Sequence, residues 1–212
     1  MIVDELKCIY FHVGKTAGVS VEKWLLDETR DWRKADRRRM FGWDADEGVF
    51  LQHATADTVL RLAGTERFND YYKFAVVRNP YERLISVFYY LYPQHMKKHG
   101  SFQNFVLNLP DIVAKPDGLK GSHYLPQTRY THIDGEQVVD DIVKFEALPH
   151  SLTIVANRLG INRPLGHENR IHQEKRPTGS ASECYSGAMI QSMREVYRSD
   201  FDSLGYPDCP DT

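Results

Sequence analysis

Cys8-Ile9-Tyr10-Phe11-His12-Val13-Gly14-Lys15-Thr16-Ala17-Gly18-Val19-Ser20 is the stretch that decides the fold. Its first part is a continuous apolar run of strand-forming residues without strict alternation, the pattern of a strand covered on both faces. Small residues and two glycines then interrupt it. From Val19 to Asp27 the spacing changes to helical, with Val21, Trp24 and Leu25 on one stripe. The stretch is therefore a strand over Lys7 to His12, a tight turn and a helix.

The same alternation recurs along the chain. Tyr72 to Val77 and Asp141 to Phe145 are two more short apolar runs. Helical patterns fall at Asp57 to Ala63, Pro80 to Leu91, Phe102 to Leu109, Leu148 to Leu159 and Gly187 to Leu204. Strands separated by helices imply crossover units, hence an α/β fold of three layers, α/β/α, with a central mostly parallel sheet. At 212 residues, and with no repeat or low-complexity linker, residues 1–212 are expected to form a single domain. The 27 basic residues nearly balance the 29 acidic ones, so no global positive field exists to recruit nucleic acid or an anionic membrane. Three cysteines without a CxxC pair point to a reducing compartment, and from the opening residues and the lack of a membrane-length apolar run neither a leader nor a membrane anchor is expected. A cytoplasmic location is the expectation.

Any anion must then be held locally. A turn between a strand and a helix lets backbone N–H groups converge, and the first helical turn adds unpaired donors and the positive end of its dipole. Gly14 and Gly18 permit close approach, Lys15 supplies a cation, and Thr16 and Ser20 add hydroxyls; an ordinary strand-to-helix turn is the alternative. A nucleotide-hydrolysing P-loop needs a further glycine five residues before Gly14, and that position is Ile9. The turn is P-loop-like but shorter. The second strand also leads into Arg78, where a magnesium-binding carboxylate would stand in a kinase-type enzyme, so no metal is expected.

Phe74-Ala75-Val76-Val77-Arg78-Asn79-Pro80-Tyr81-Glu82-Arg83-Leu84-Ile85-Ser86 forms a second strand–turn–helix. Asn79 suits the N-cap and Pro80 the first helical position. Arg78 can fork onto a phosphate, and Ser86, two helical turns on, can approach from the helix side. Their plainer roles are an ion pair with Glu82 and a small packing residue. Two other segments stand out. Arg30 to Gly48 crowds Arg33, Lys34, Arg37, Arg38 and Arg39 with aromatic residues, as a solvated face or an anion-facing flap. Pro110 to His132 reads as a long surface excursion.

The two motifs together resemble the phosphate-binding blocks of the sulfotransferases. His12 to Ser20 is similar to their 5'-phosphosulfate loop, with Gly14 where proline is usual, and Val77 to Ser86 is similar to their 3'-phosphate block. The resemblance is greatest to the carbohydrate branch that includes the heparan sulfate 2-O-sulfotransferase-like enzymes. It extends to Asp141-Ile142-Val143-Lys144-Phe145-Glu146 and to Val196-Tyr197-Arg198-Ser199-Asp200-Phe201 with Leu204-Gly205-Tyr206. It implies transfer of a sulfuryl group from 3'-phosphoadenosine 5'-phosphosulfate (PAPS) to an acceptor hydroxyl, on a saccharide or glycan-like substrate, without a required metal. Gly14, Lys15, Thr16, Ala17, Gly18 and Ser20 would hold the 5'-phosphosulfate, with Lys15 stabilising the leaving oxygen, and Arg78 and Ser86 the 3'-phosphate. Phe50-Leu51-Gln52-His53-Ala54-Thr55-Ala56 resembles the family's segment carrying the catalytic histidine, which makes His53 the candidate base. A packing or capping histidine is the alternative, and His12 is read as orienting the loop. Arg170, Lys175 and Arg176 are candidates for closing over the adenine, and Gln127 for the acceptor side. The competing functions are a P-loop kinase for a small metabolite and a non-catalytic nucleotide-binding regulatory module.

Overall fold

The structure is a computed structural model and describes residues 1–26, 33–115, 121–166 and 179–210. Its described residues fall into two compact units, one within Met1–Val77 and Arg129–Glu168, the other within Arg78–Thr128 and Asn169–Thr212.

The first unit carries the sheet. In chain order its strands are β1 (Ile2–Val3), β2 (Cys8–Phe11), β3 (Trp43–Asp44), β4 (Val49–Phe50), β5 (Tyr72–Val77), β6 (His132–Ile133), β7 (Glu136–Gln137) and β8 (Asp141–Lys144). The central sheet runs β1-β2-β5-β8, with β1 antiparallel to β2 and the β2–β5 and β5–β8 pairings parallel. β3–β4 and β6–β7 are two small antiparallel pairs. The expected mostly parallel sheet is present, and the three strands read from the apolar runs are its core.

Helices flank that sheet on both faces. Along the chain the helices are α1 (Gly18–Leu26), α2 (Ala56–Ala63), α3 (Thr65–Asp70), α4 (Pro80–Tyr90), α5 (Tyr92–His99), α6 (Phe102–Leu107), α7 (Leu109–Ala114), α8 (Thr128–Thr131), α9 (Thr153–Leu159), α10 (Ala181–Cys184) and α11 (Gly187–Leu204). On one face Cys8, Tyr10, Phe74, Val76 and Val143 pack with Val21, Trp24 and Leu25 of α1 and Val155 of α9. On the other, the Phe11 ring meets the Phe68 ring of α3 edge-on at 6.4 Å between centroids. Burying one such aliphatic or aromatic side chain stabilises by about 1.5–3 kcal/mol, so this alternation holds the strands between two helical layers.

The second unit is helical. α4 and α11 share a core of Tyr81, Leu84, Val87, Phe88, Met193, Tyr197 and Phe201, joined by Phe105 and Val106 of α6. The start of α4 is fixed as its sequence suggests: the Asn79 Oδ1 accepts from the Tyr81 N–H at 3.0 Å, and Pro80 occupies the first turn. No helix among the described residues is long and apolar enough to cross a membrane.

Two expectations are corrected here. The helix expected over Leu148 to Leu159 begins only at Thr153, because the preceding residues form two short 3-10 turns, Phe145–Ala147 and His150–Leu152. The described part of Pro110 to His132 is not a surface excursion throughout: His123, Gln127, Tyr130 and Thr131 within it are buried. The basic segment is a charge-paired structure among its described residues. Arg37 bonds Asp44 and Asp46, Arg38 bonds Asp4, and Arg39 bonds Glu5.

Candidate functional site

The loop from β2 to α1 bends through two left-handed residues that are not glycine. Lys15 has φ 70° and Ala17 has φ 65°. This region costs an L-residue on the order of 1–2 kcal/mol, and such strain persists where the surroundings impose it. Left-handed residues in a turn aim successive backbone N–H groups to one side, the geometry of an anion-binding concavity. α1 then begins at Gly18, with the Val21 N–H bonded to the Ala17 carbonyl at 3.0 Å. Gly14, Thr16, Gly18 and Ser20 are buried, whereas Lys15 and Ala17 are partly exposed. The Thr16 hydroxyl donates to the Val13 carbonyl at 2.8 Å and so braces the loop from inside.

His53 closes a short 3-10 turn, Leu51–His53, and is half-buried. Its Nδ1 lies 2.9 Å from the His12 carbonyl oxygen, and the two imidazoles stand 4.3 Å apart, tilted by 56°. A carbonyl only accepts, so Nδ1 carries the hydrogen and the neutral ring has its lone pair on Nε2. In that tautomer Nε2 is the ring nitrogen able to accept a proton. His53 and the Lys15 loop thus diverge from one residue, His12, at the end of β2.

At the same sheet edge β8 ends on Lys144, beside Val77 in register. Burial lowers the Lys144 pKa below the ordinary lysine value, against the opposing pull of Glu146. This lysine was not singled out from the sequence, although its place at a strand's carboxyl end is the signal that could have found it.

In the helical unit Arg78 directly follows β5 and is 8 % exposed. Its guanidinium bonds Glu82 at 3.2 Å. The backbone of Arg78 is gripped by Gln127: the Arg78 N–H donates to Gln127 Oε1, and Gln127 Nε2 donates to the Arg78 carbonyl, each at 2.8 Å. Gln127 is held in turn by Asp200, whose Oδ2 accepts from the Gln127 backbone N–H at 2.9 Å and from its Nε2 at 3.2 Å. The other Asp200 oxygen takes the Thr128 N–H at 3.0 Å. Burial raises the Asp200 pKa, while Arg83 and these donors favour its charged form. Ser86 lies partly exposed on α4, four residues beyond Glu82 and so on the same helical stripe.

A profile described as the Sulfotransferase family matches residues 1–207. The chain belongs to the sulfotransferase family. No curated protein and no solved structure gives a significant match. Membership makes it a transferase acting by sulfuryl transfer on a hydroxyl-bearing acceptor.

Within this sulfotransferase, Gly14, Lys15, Thr16, Ala17, Gly18, Ser20 and His53 all belong to the sheet-bearing unit, and Arg78 and Ser86 to the helical one. Gln127 is fully buried, with its carboxamide bonded to the Arg78 backbone and to Asp200. Arg170, Lys175 and Arg176 lie outside the described residues. Sequence reasoning missed Arg83 as a structural group. It is 1 % exposed, donates to the His123 carbonyl at 3.1 Å and the Leu125 carbonyl at 2.8 Å, and stacks over the Tyr197 ring at 5.3 Å. Its position among Tyr81, Leu84 and Ile85 on α4 was the available clue, since a cation on an apolar stripe requires acceptors.

Proposed function

We propose that this sulfotransferase takes 3'-phosphoadenosine 5'-phosphosulfate as donor and passes its sulfuryl group to a hydroxyl of a saccharide or glycan-like acceptor, as one catalytic domain over residues 1–212. The left-handed pair Lys15 and Ala17 ahead of α1 is the observation that carries the reading, because two such residues close together in a strand-to-helix turn aim successive N–H groups at one point, as an anion site requires. The donor set fits the group. Gly14, Lys15, Thr16, Ala17, Gly18 and Ser20 would receive the 5'-phosphosulfate in a P-loop-like manner, and Arg78 with Ser86 the 3'-phosphate. Arg170, Lys175 and Arg176 are proposed to close over the adenine. The donor supplies an activated sulfuryl group and a bisphosphate leaving group.

The protein's share of the chemistry is positioning and charge. His53 Nε2 takes the acceptor proton as the oxygen attacks sulfur in line with the departing phosphate oxygen. Lys15 meets the negative charge that grows on that oxygen, so its contribution is larger in the transition state than in the ground state. No carboxylate for magnesium is needed in this scheme, which separates it from a kinase. The test is mass spectrometry of a hydroxyl-acceptor panel incubated with isotope-labelled donor, wild type beside His53→Ala. Labelled sulfate on a saccharide, with turnover reduced roughly 100-fold or more in the variant, is the expected result. Transfer that is unaffected by loss of the imidazole removes His53 from the mechanism.

A further inference from the structure

One residue of α1 touches neither proposed phosphate site yet is linked to both catalytic candidates in the sheet-bearing unit. Glu22 accepts a 2.7 Å hydrogen bond from His12 Nδ1, with both side chains largely buried, at 13 % and 8 % exposure. Glu22 stands four residues after Gly18, so the two share a face of α1. The His12 imidazole lies on that face: a Cβ built on Gly18 would fall inside the His12 ring. Gly18 is therefore small because the ring occupies its side-chain space, and Glu22 holds the ring there. Tyr10, stacked 5.9 Å from the ring, closes a further side.

His12 is the last residue before the Val13–Ala17 loop and also the residue whose carbonyl receives His53 Nδ1–H. Locking its side chain to the first turns of α1 closes a ring of covalent and hydrogen-bonded links around the loop. It also limits rotation of the His12 peptide plane that aims the carbonyl.

We infer that Glu22 is a positioning residue for the transfer reaction: by seating the His12 imidazole over Gly18, it fixes the His12 carbonyl that sets the His53 tautomer, and the loop that presents Lys15. This rests on the assignment of His53 as base and Lys15 as donor-binding cation. A misplacement on the order of 1 Å in such a group costs up to about 100-fold in rate, so a residue without substrate contact can control turnover.

The experiment compares wild type, Glu22→Ala, Glu22→Gln and Gly18→Ala. The first readout is the two-bond nitrogen–proton spectrum of His53 in alkaline buffer, which reports which ring nitrogen carries the hydrogen and needs no catalysis. Wild type is expected to show the Nδ1–H tautomer. Glu22→Ala is expected to show a mixture of tautomers, and Glu22→Gln, which keeps an acceptor oxygen on the same stem, to restore a single one. Gly18→Ala expels the ring from the other side with Glu22 intact, and is expected to reproduce Glu22→Ala. The second readout is single-turnover transfer, expected to fall roughly 10-fold or more in Glu22→Ala and Gly18→Ala and to recover mostly in Glu22→Gln. Thermal melts identify variants that fail to fold, and in that event the Gln variant and Gly18→Ala decide. An unchanged His53 spectrum in both folded Glu22→Ala and Gly18→Ala overturns the inference. Absence of transfer in wild type, with the tautomer shifts as expected, overturns the assigned function and with it the catalytic meaning of the positioning, while the link from Glu22 through His12 to His53 stands.

Discussion

The Gln127 side chain pairs with both main-chain groups of Arg78, at 2.8 Å on each side, as a neighbouring strand would if β5 continued by one residue. This fixes the orientation from which the arginine leaves the sheet. Gln127→Glu is nearly isosteric but sets a carboxylate oxygen against the Arg78 carbonyl and beside the Asp200 carboxylate. Destabilisation by roughly 1–3 kcal/mol in chemical denaturation is expected, as for a buried polar group deprived of its partner. Weaker binding of 3'-phosphoadenosine 5'-phosphate by calorimetry should accompany it. A Gln127→Glu protein with unchanged stability and binding would show that the clamp does not govern Arg78.

Ala17 at φ 65° carries a strain that glycine would not. Ala17→Gly is therefore expected to leave the protein as stable or up to about 1 kcal/mol more stable, the reverse of the usual loss when glycine replaces alanine. Donor binding should persist, since the backbone N–H is kept. A clear loss of stability in denaturant would mean that the loop relaxes out of the left-handed geometry in solution.

Lys15→Ala separates ground-state from transition-state binding. Its partner charge grows as the phosphate oxygen leaves, so turnover should fall by roughly 100-fold while the donor dissociation constant changes far less. Steady-state kinetics beside calorimetry measure both. Equal losses in the two would reduce Lys15 to a simple anion contact.

Much of this fold is legible in the sequence. Phe74-Ala75-Val76-Val77 reads as a buried strand because every residue in it faces a covered layer, and β5 spans Tyr72–Val77 as expected. α11 likewise spans Gly187 to Leu204 as its pattern suggests, but kinks at Tyr197, whose φ of −109° and ψ of 23° are not helical. What escapes is held by contacts distant in sequence. β1 is two residues long and exists through its pairing with Cys8 and Ile9. Gln127 lies in a stretch whose polar composition suggests exposure, and only Asp200, 73 residues on, shows why it is buried. The turn from β2 to α1 was readable because its strand, loop and helix are contiguous in sequence. The contact that orients His53 was not, since it comes from a carbonyl 41 residues away.

The β3–β4 pair makes a prediction about acid. The Arg37 guanidinium holds Asp44 down to about 2, against the opposing effect of its burial, while the ordinary value is 3.8. A carboxylate depressed in the folded state contributes stability that is complete above its unfolded value and is lost as pH falls through the folded one. Wild type should therefore lose stability between about 3.8 and about 2. In Arg37→Leu that fall should be shallower, because the variant lacks the contribution already at neutral pH. Parallel acid titrations of the two proteins, followed by circular dichroism, check this; identical slopes would remove the pair from the acid response.

The two proposed anion sites are expected to serve a 3',5'-bisphosphate nucleotide and not a triphosphate with magnesium. Thermal unfolding with 3'-phosphoadenosine 5'-phosphate, run beside ATP with magnesium, tests it most directly. At about 100 times its dissociation constant a ligand of the native state adds about 2.7 kcal/mol, a rise in Tm of roughly 5–10 °C for a chain of this size. The bisphosphate is predicted to produce that rise and ATP with magnesium to produce little. Stabilisation by ATP with magnesium and none by the bisphosphate would overturn the assignment of the donor.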